Sequence, residues 1–146
     1  MKWAAIFFAL IAMVAGAWYV TQPDDSGAPT EAGNSAILPQ GAIVAVAVPS
    51  AFSEQEQMGK RGFDAICASC HGTNAQGREG AGPPLVHKIY EPNHHGDMAF
   101  VLAAKNGVRS HHWRFGNMPP VKGITQADVL NIVAYVRALQ RENGIK

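Results

Sequence analysis

The sequence predicts an all-α domain over residues 51–146, built from short helices and long loops. Two helix starts are recognisable, one at Ser53 and one at Thr125. The chain between them contains glycine- and proline-rich loops, and no alternating pattern typical of a strand follows Ser50. A domain this small, with loops this long, needs a large apolar body to pack against.

Three helices are expected in this domain. The first starts at Ser53, where Ser53-Glu54-Gln55-Glu56 fits a capping box, and runs towards Cys67. The second lies around 97–105 and is stopped by Asn106-Gly107. The third starts at Thr125. It places five apolar side chains on one face: Val129, Ile132, Val133, Val136 and Leu139.

An apolar run of 18 residues, Trp3 to Val20, precedes the domain and contains no charged residue. As a helix it would be about 27 Å long, close to the thickness of a bilayer core, so residues 1–20 are predicted to form a transmembrane anchor. Lys2 before the run and Asp24 after it place the basic end in the cytoplasm. The alternative is a cleaved signal peptide, because Ala15-Gly16-Ala17 suits a signal peptidase.

Both alternatives for residues 1–20 place the domain on the periplasmic side of the cytoplasmic membrane, tethered in one case and soluble in the other.

Residues 21–50 are predicted to be a linker, since they contain four prolines and no lysine or arginine. Within the linker, residues 43–48 are apolar and β-branched. A short strand, or a segment lying against the domain, is the alternative for that stretch.

The segment Cys67-Ala68-Ser69-Cys70-His71 is the attachment pattern of a covalent haem c. Cysteines three apart at a helix end lie on one face, so both thiols can bond to the vinyl groups of one porphyrin. His71 then supplies the proximal iron ligand. A disulfide, a thioredoxin-type pair and half of a zinc site are the alternatives. Zinc would need further Cys or His ligands, and a thioredoxin pair a βαβ setting.

From Ser53 to about Gln140, the sequence resembles the class I mono-haem cytochromes c. Gly59, Phe63 and Tyr135 match the small and aromatic positions at which the first and last helices of that family cross. The resemblance implies the class I cytochrome c fold, in which helices and loops surround a single haem c. The haem would then be the large apolar body that the domain needs.

The resemblance also implies roles for three residues around the iron. Pro83 would accept a hydrogen bond from His71 through its carbonyl oxygen, and Leu85 would pack on the haem face. Met118, in a Met-Pro loop before the last helix, would be the sixth iron ligand beside His71. The alternatives are that Met118 is a core methionine and that Met98 or a histidine binds the iron.

Two adjacent histidine pairs, His94-His95 and His111-His112, are not required by the family pattern. One histidine could replace methionine on the iron, or the pairs could bind copper or zinc at a second site. They could also be polar loop residues near the haem edge. Trp113 and Arg114 could each donate a hydrogen bond to a haem propionate, although core packing explains Trp113 equally well.

These features predict a single-electron carrier with His/Met axial ligation, and not an enzyme, because neither axial position is left for a substrate. The formal net charge is +1, so strong electrostatic steering is not expected. The resemblance implies a respiratory or related chain, with a quinol-oxidising complex or dehydrogenase as donor and a terminal oxidase or reductase as acceptor. No nucleic-acid partner is expected. The alternatives are a haem subunit of a larger oxidoreductase complex and a copper-binding or gas-sensing haem protein.

Overall fold

A computed structural model describes residues 40–146. The predicted anchor or signal peptide over 1–20, and the predicted linker as far as residue 39, lie outside the described residues. The described part contains no strand, so its all-α prediction is confirmed. It has four α-helices and one short 3-10 helix: α1 (Glu54–Ile66), α2 (Ala68–His71), the 3-10 helix (Lys88–Tyr90), α3 (Asp97–Asn106) and α4 (Gln126–Glu142). None of these helices has both the length and the apolar character that a membrane span requires.

Helix α1 begins where the capping box was predicted. The Ser53 hydroxyl accepts a hydrogen bond from the Glu56 backbone N–H at 3.3 Å, and the Glu56 carboxylate accepts one from the Ser53 backbone N–H at 2.8 Å. The bond from the Ser53 backbone is the main cause that lowers the pKa of Glu56. Glu56 also pairs with Arg141 of α4 at 2.8 Å, so the start of α1 is tied to the end of the last helix.

Helix α4 begins with a second reciprocal cap and supplies much of the core. The Thr125 hydroxyl accepts from the Asp128 backbone N–H at 3.2 Å, and the Asp128 carboxylate accepts from the Thr125 backbone N–H at 3.1 Å. The apolar face predicted for this helix is buried along its whole length: Val129, Ile132, Val133, Val136 and Leu139. This amphipathic pattern therefore identified the side that packs against the rest of the domain.

Helices α1 and α4 cross at the glycine and the two aromatic residues that the family resemblance indicates. Phe63 and Tyr135 are both 0% exposed, and their ring centroids lie 5.4 Å apart. A Cβ atom on Gly59 would overlap the backbone carbonyl oxygen of Asn131. The two helices can approach this closely only because Gly59 has no side chain.

Helix α3 also packs against α4. Val101 and Ala104 of α3 form a buried cluster with Val129 and Val133 of α4. The helix ends before Gly107, whose φ of +76° belongs to the left-handed region that glycine adopts without strain. The prediction of a helix around 97–105 is thus confirmed.

Residues 43–47, inside the predicted linker, lie against the domain. The backbone N–H groups of Ile43 and Val44 donate to the Gln76 carbonyl at 3.2 and 3.1 Å. Further along, the Ala47 N–H donates to the Asn143 side-chain oxygen at 2.9 Å, and Val46 packs against the main core. Burial of these apolar side chains stabilises the contact with the domain, which favours the alternative of a segment lying against the domain for this stretch.

The buried Tyr135 hydroxyl predicts a loss of stability at alkaline pH. It donates to the Thr73 carbonyl at 3.2 Å, and burial raises the pKa of Tyr135 to about 12. A pKa raised by folding gives stability that is complete below about pH 10 and lost as the pH rises towards 12. We expect Tyr135→Phe to lower the free energy of unfolding by about 1 kcal/mol at neutral pH. The variant should also lose less stability than the wild type as the pH rises from about 10 to 12, measured by denaturant unfolding at each pH. Parallel pH profiles for the two proteins would contradict this assignment.

Candidate haem-binding site

The two cysteines and His71 lie on a single turn of backbone after α1. The Cys67 N–H still donates to Phe63 of α1, at 2.8 Å, while the Cys67 carbonyl accepts from Cys70 and His71 at 3.1 and 3.0 Å. Cys67 therefore both ends α1 and begins α2. The sulfurs of Cys67 and Cys70 are not joined in a disulfide, which disfavours that alternative. Burial, with a smaller effect from Cys70, raises the pKa of Cys67 to about 11, so before haem attachment this thiol is protonated at neutral pH.

His71 is oriented by the backbone of a separate loop. Its Nδ1 lies 2.8 Å from the carbonyl oxygen of Pro83, the bond that the resemblance implies. When Nδ1 carries the proton and donates to Pro83, Nε2 keeps a free lone pair for a metal. Burial lowers the pKa of His71 and the Pro83 bond partly opposes it. The net shift favours the neutral imidazole, which is the form that binds iron.

The loop that contains Pro83 is held closely against the cysteine turn. A Cβ atom on Gly82 would lie 2.8 Å from the Cys70 carbonyl oxygen, so this contact requires glycine. Leu85 donates its N–H to the Ala75 carbonyl at 2.8 Å, and its own carbonyl accepts from the Gln140 side chain at 2.8 Å. The Leu85 side chain packs against the main core. These bonds fix the backbone at Leu85, two residues after Pro83.

Met118 lies on a different loop, which is fixed to the end of α3. It forms an isolated antiparallel bridge with Val108, with N···O distances of 2.9 and 3.0 Å in the two directions. A Cβ atom on Gly107 would lie 2.6 Å from the Met118 carbonyl oxygen, so glycine is needed at this position as well. The structure therefore holds the backbone of Met118 in one place relative to α3.

Trp113 offers a buried donor that is suited to a bound acceptor. Its indole N–H is buried and lacks a hydrogen-bond partner among the described residues. Burial raises the pKa of Tyr90 and the nearby Trp113 indole partly opposes that shift. The indole N–H nevertheless has no partner that meets the geometry of a hydrogen bond among the described residues. An unpaired buried N–H costs about 1–3 kcal/mol, and a haem propionate would relieve that cost. Two free thiols, an oriented imidazole and this donor all fit a haem.

Sequence reasoning missed the buried polar pair Arg137 and Gln140. The Gln140 side chain is 1% exposed and donates to the carbonyls of Leu85 and Tyr90 at 2.8 and 3.1 Å. Arg137 donates to the Gln140 side-chain oxygen at 2.6 Å. Both residues follow the apolar positions Val133 and Val136 by four, so they lie on the buried face of α4. That spacing was the signal available in the sequence.

The two histidine pairs come from different loops and meet in space. The ring centroids of His94 and His95 lie 5.7 and 5.4 Å from that of His112. Local desolvation lowers the pKa of His112, and the neighbouring imidazoles of His111, His95 and His94 lower it further. This grouping depends on the fold and could not be read from the two separate pairs.

The cytochrome c family model matches residues 56–140. That match spans more than half of the 146-residue chain, and the chain belongs to the cytochrome c family. Among curated proteins, none shows a significant match to the chain. The domain thus binds one covalent haem c, which supplies a reversible one-electron couple. Haem-based electron transfer is the class of function that follows from this membership.

Proposed function

We propose that the protein is a single-electron carrier whose haem is bonded to Cys67 and Cys70 and ligated by His71 and Met118. The observation that carries the proposal is the hydrogen bond of 2.8 Å between His71 Nδ1 and the Pro83 carbonyl. It orients the imidazole beside the two cysteines on the same turn. A carbonyl partner of this kind fixes the ring of an axial histidine and raises its basicity as a ligand.

Three further residues complete the proposed haem site. Leu85 packs on the haem face, Trp113 donates to a propionate, and the Met118 thioether is the second axial ligand. A thioether is a soft ligand that favours ferrous iron and raises the reduction potential. With His71 and Met118 both bound, no axial position remains for a substrate, which favours electron transfer over catalysis.

The location and partners follow from the sequence and belong to the same proposal. Residues 1–20 anchor the domain to the periplasmic face of the cytoplasmic membrane, or are removed to leave it soluble there. The donor is then a quinol-oxidising complex or a dehydrogenase, and the acceptor a terminal oxidase or reductase of a respiratory or related chain. Such partners bind weakly and briefly, in accordance with a net charge close to zero.

The optical spectrum of the oxidised protein tests the axial ligands. We expect the weak long-wavelength charge-transfer band that methionine sulfur gives on ferric low-spin haem. Met118→Ala should lose this band and lower the reduction potential, because the soft ligand is gone. Met98→Ala is the matched control, since Met98 is 50% exposed and should leave the band unchanged. If the wild type lacks the band, or if Met118→Ala keeps it, Met118 is not the ligand.

A further inference from the structure

Three imidazoles from two loops are arranged in a way that suits a metal ion. His94 and His95 follow a turn in which the Glu91 carbonyl accepts from both of their N–H groups, at 3.0 and 2.8 Å. His112 belongs to the loop between Val108 and Met118. The available ring nitrogens of His94, His95 and His112 all lie within 4.8 Å of one another. Residues this far apart in sequence come so close only through the fold.

His95 is already oriented as a metal ligand would be. Its Nδ1 lies 2.7 Å from the Ile89 carbonyl oxygen, so a proton on Nδ1 is held there and Nε2 keeps a free lone pair. The ring packs against Tyr90 with centroids 5.1 Å apart. Its backbone carbonyl accepts a hydrogen bond from the buried Arg137. Two contacts therefore hold the imidazole, and a third holds its backbone, before any metal arrives.

The other two imidazoles are free to adjust. His94 and His112 are exposed, so their side chains can rotate without disturbing the core. Nitrogens on a tetrahedral zinc ion lie about 3.3 Å apart, because each Zn–N bond is about 2.0–2.1 Å long. Side-chain rotation can close the gap from the 4.8 Å limit to that spacing. Three protein ligands would leave a fourth position for water, as in other three-histidine sites.

We propose that His94, His95 and His112 bind one divalent transition-metal ion, Zn²⁺ or Cu²⁺, at a site other than the haem iron. The three-residue cluster contains only imidazole nitrogens, with no carboxylate. Imidazole suits zinc and copper, whereas Mg²⁺ and Ca²⁺ prefer oxygen. Cu²⁺ should bind more tightly than Zn²⁺, following the usual order of divalent metals.

The metal would join the segment before α3 to the loop that ends at Met118. Met118 is paired with Val108 through backbone hydrogen bonds, and His112 lies between the two. An ion that binds only the folded arrangement stabilises it by mass action. Metal binding therefore raises the unfolding temperature of the haem-loaded protein and restrains the loop that contains Met118.

Calorimetric titration of the full-length oxidised protein with Zn²⁺ provides the test, because Zn²⁺ has no redox chemistry with the haem. We expect one equivalent to bind, and His94→Ala or His112→Ala to weaken binding by at least about tenfold. Both positions are exposed, and an unchanged haem spectrum checks that each variant folds. His111→Gln is the matched control, since His111 is also exposed and adjoins His112 but lies outside the metal cluster.

Zn²⁺ affinity unchanged in the double variant His94→Ala/His112→Ala would overturn the proposal, and so would an equal loss of affinity in His111→Gln. Electron paramagnetic resonance with added Cu²⁺ gives a second readout. Coupling to imidazole nitrogens should be present in the wild type and lost in the double variant, and an oxygen-only signal in the wild type would contradict the site. An unchanged haem spectrum in the His94→Ala and His112→Ala variants also shows that neither histidine is the sixth ligand of the iron, so failure of the metal site and failure of Met118 as ligand are distinguished.

Discussion

Gly59→Ala is expected to destabilise the protein by at least about 3 kcal/mol, measured by denaturant unfolding of the haem-loaded form. The new Cβ atom would overlap the backbone carbonyl oxygen of Asn131 in α4. Backbone atoms cannot rotate away as a flexible side chain can, so the two helices would have to separate. That movement would loosen the contact of Phe63 with Tyr135, both fully buried at the crossing.

Gly62→Ala, one turn along the same helix, is the control for this prediction. Its Cβ atom would meet only the Ile132 side chain, at 3.2 and 3.3 Å. The gain of about 1 kcal/mol for alanine over glycine in a helix offsets that slight crowding, so stability should stay within about 1 kcal/mol of wild type. Equal losses of stability in the two variants would show that the effect of Gly59→Ala does not arise at the helix crossing.

Arg137→Leu is expected to cost about 2–4 kcal/mol in the free energy of unfolding, the sum of its lost hydrogen bonds to buried acceptors. The arginine is 7% exposed and donates to the carbonyls of Tyr90 and His95, the former at 2.7 Å. It also pairs with Asp97 at 2.9 Å. Leucine fills part of the space but removes the donor to the His95 carbonyl and to the Gln140 side-chain oxygen, while Tyr90 keeps only its bond from Gln140. Buried acceptors without partners are costly. Thermal and denaturant unfolding should agree on the loss.

Arg141→Leu, four residues later on the same helix, is the matched control. The Arg141 side chain is 57% exposed, and its pair with Glu56 at 2.8 Å is reached by solvent. Exposed ion pairs contribute about 0–1 kcal/mol, so this variant should remain within about 1 kcal/mol of wild type. A loss as large as that of Arg137→Leu would show that burial is not what makes Arg137 costly to replace.

The three longer helices were predictable because their signals are local. Ser53 with Glu56, and Thr125 with Asp128, form caps within three residues, and each predicts a helix start without any knowledge of the fold. Gly107 ends α3 in the same local way. Helix α2 and the 3-10 helix were not predicted, since a single turn is too short to show periodicity.

The attachment site was predictable for the same reason. Cys67, Cys70 and His71 lie on one turn, so their spacing alone indicates a shared haem. Pro83 could be connected with His71 only through the family resemblance, because the two are 12 positions apart and a loop lies between them. The unpaired indole N–H of Trp113 became visible only in the folded chain, since burial is a property of packing.

Local spacing therefore determined by itself the helix starts, the apolar face of α4 and the haem-attachment turn. Hydrogen bonds across three or four residues specify these features, and their geometry does not depend on the rest of the molecule. Only the tertiary structure decided that Arg137 is buried and that His94 and His95 meet His112. The distance between two loops depends on how α3 and α4 pack, and the burial of a side chain depends on what covers it, so neither can be read from sequence spacing.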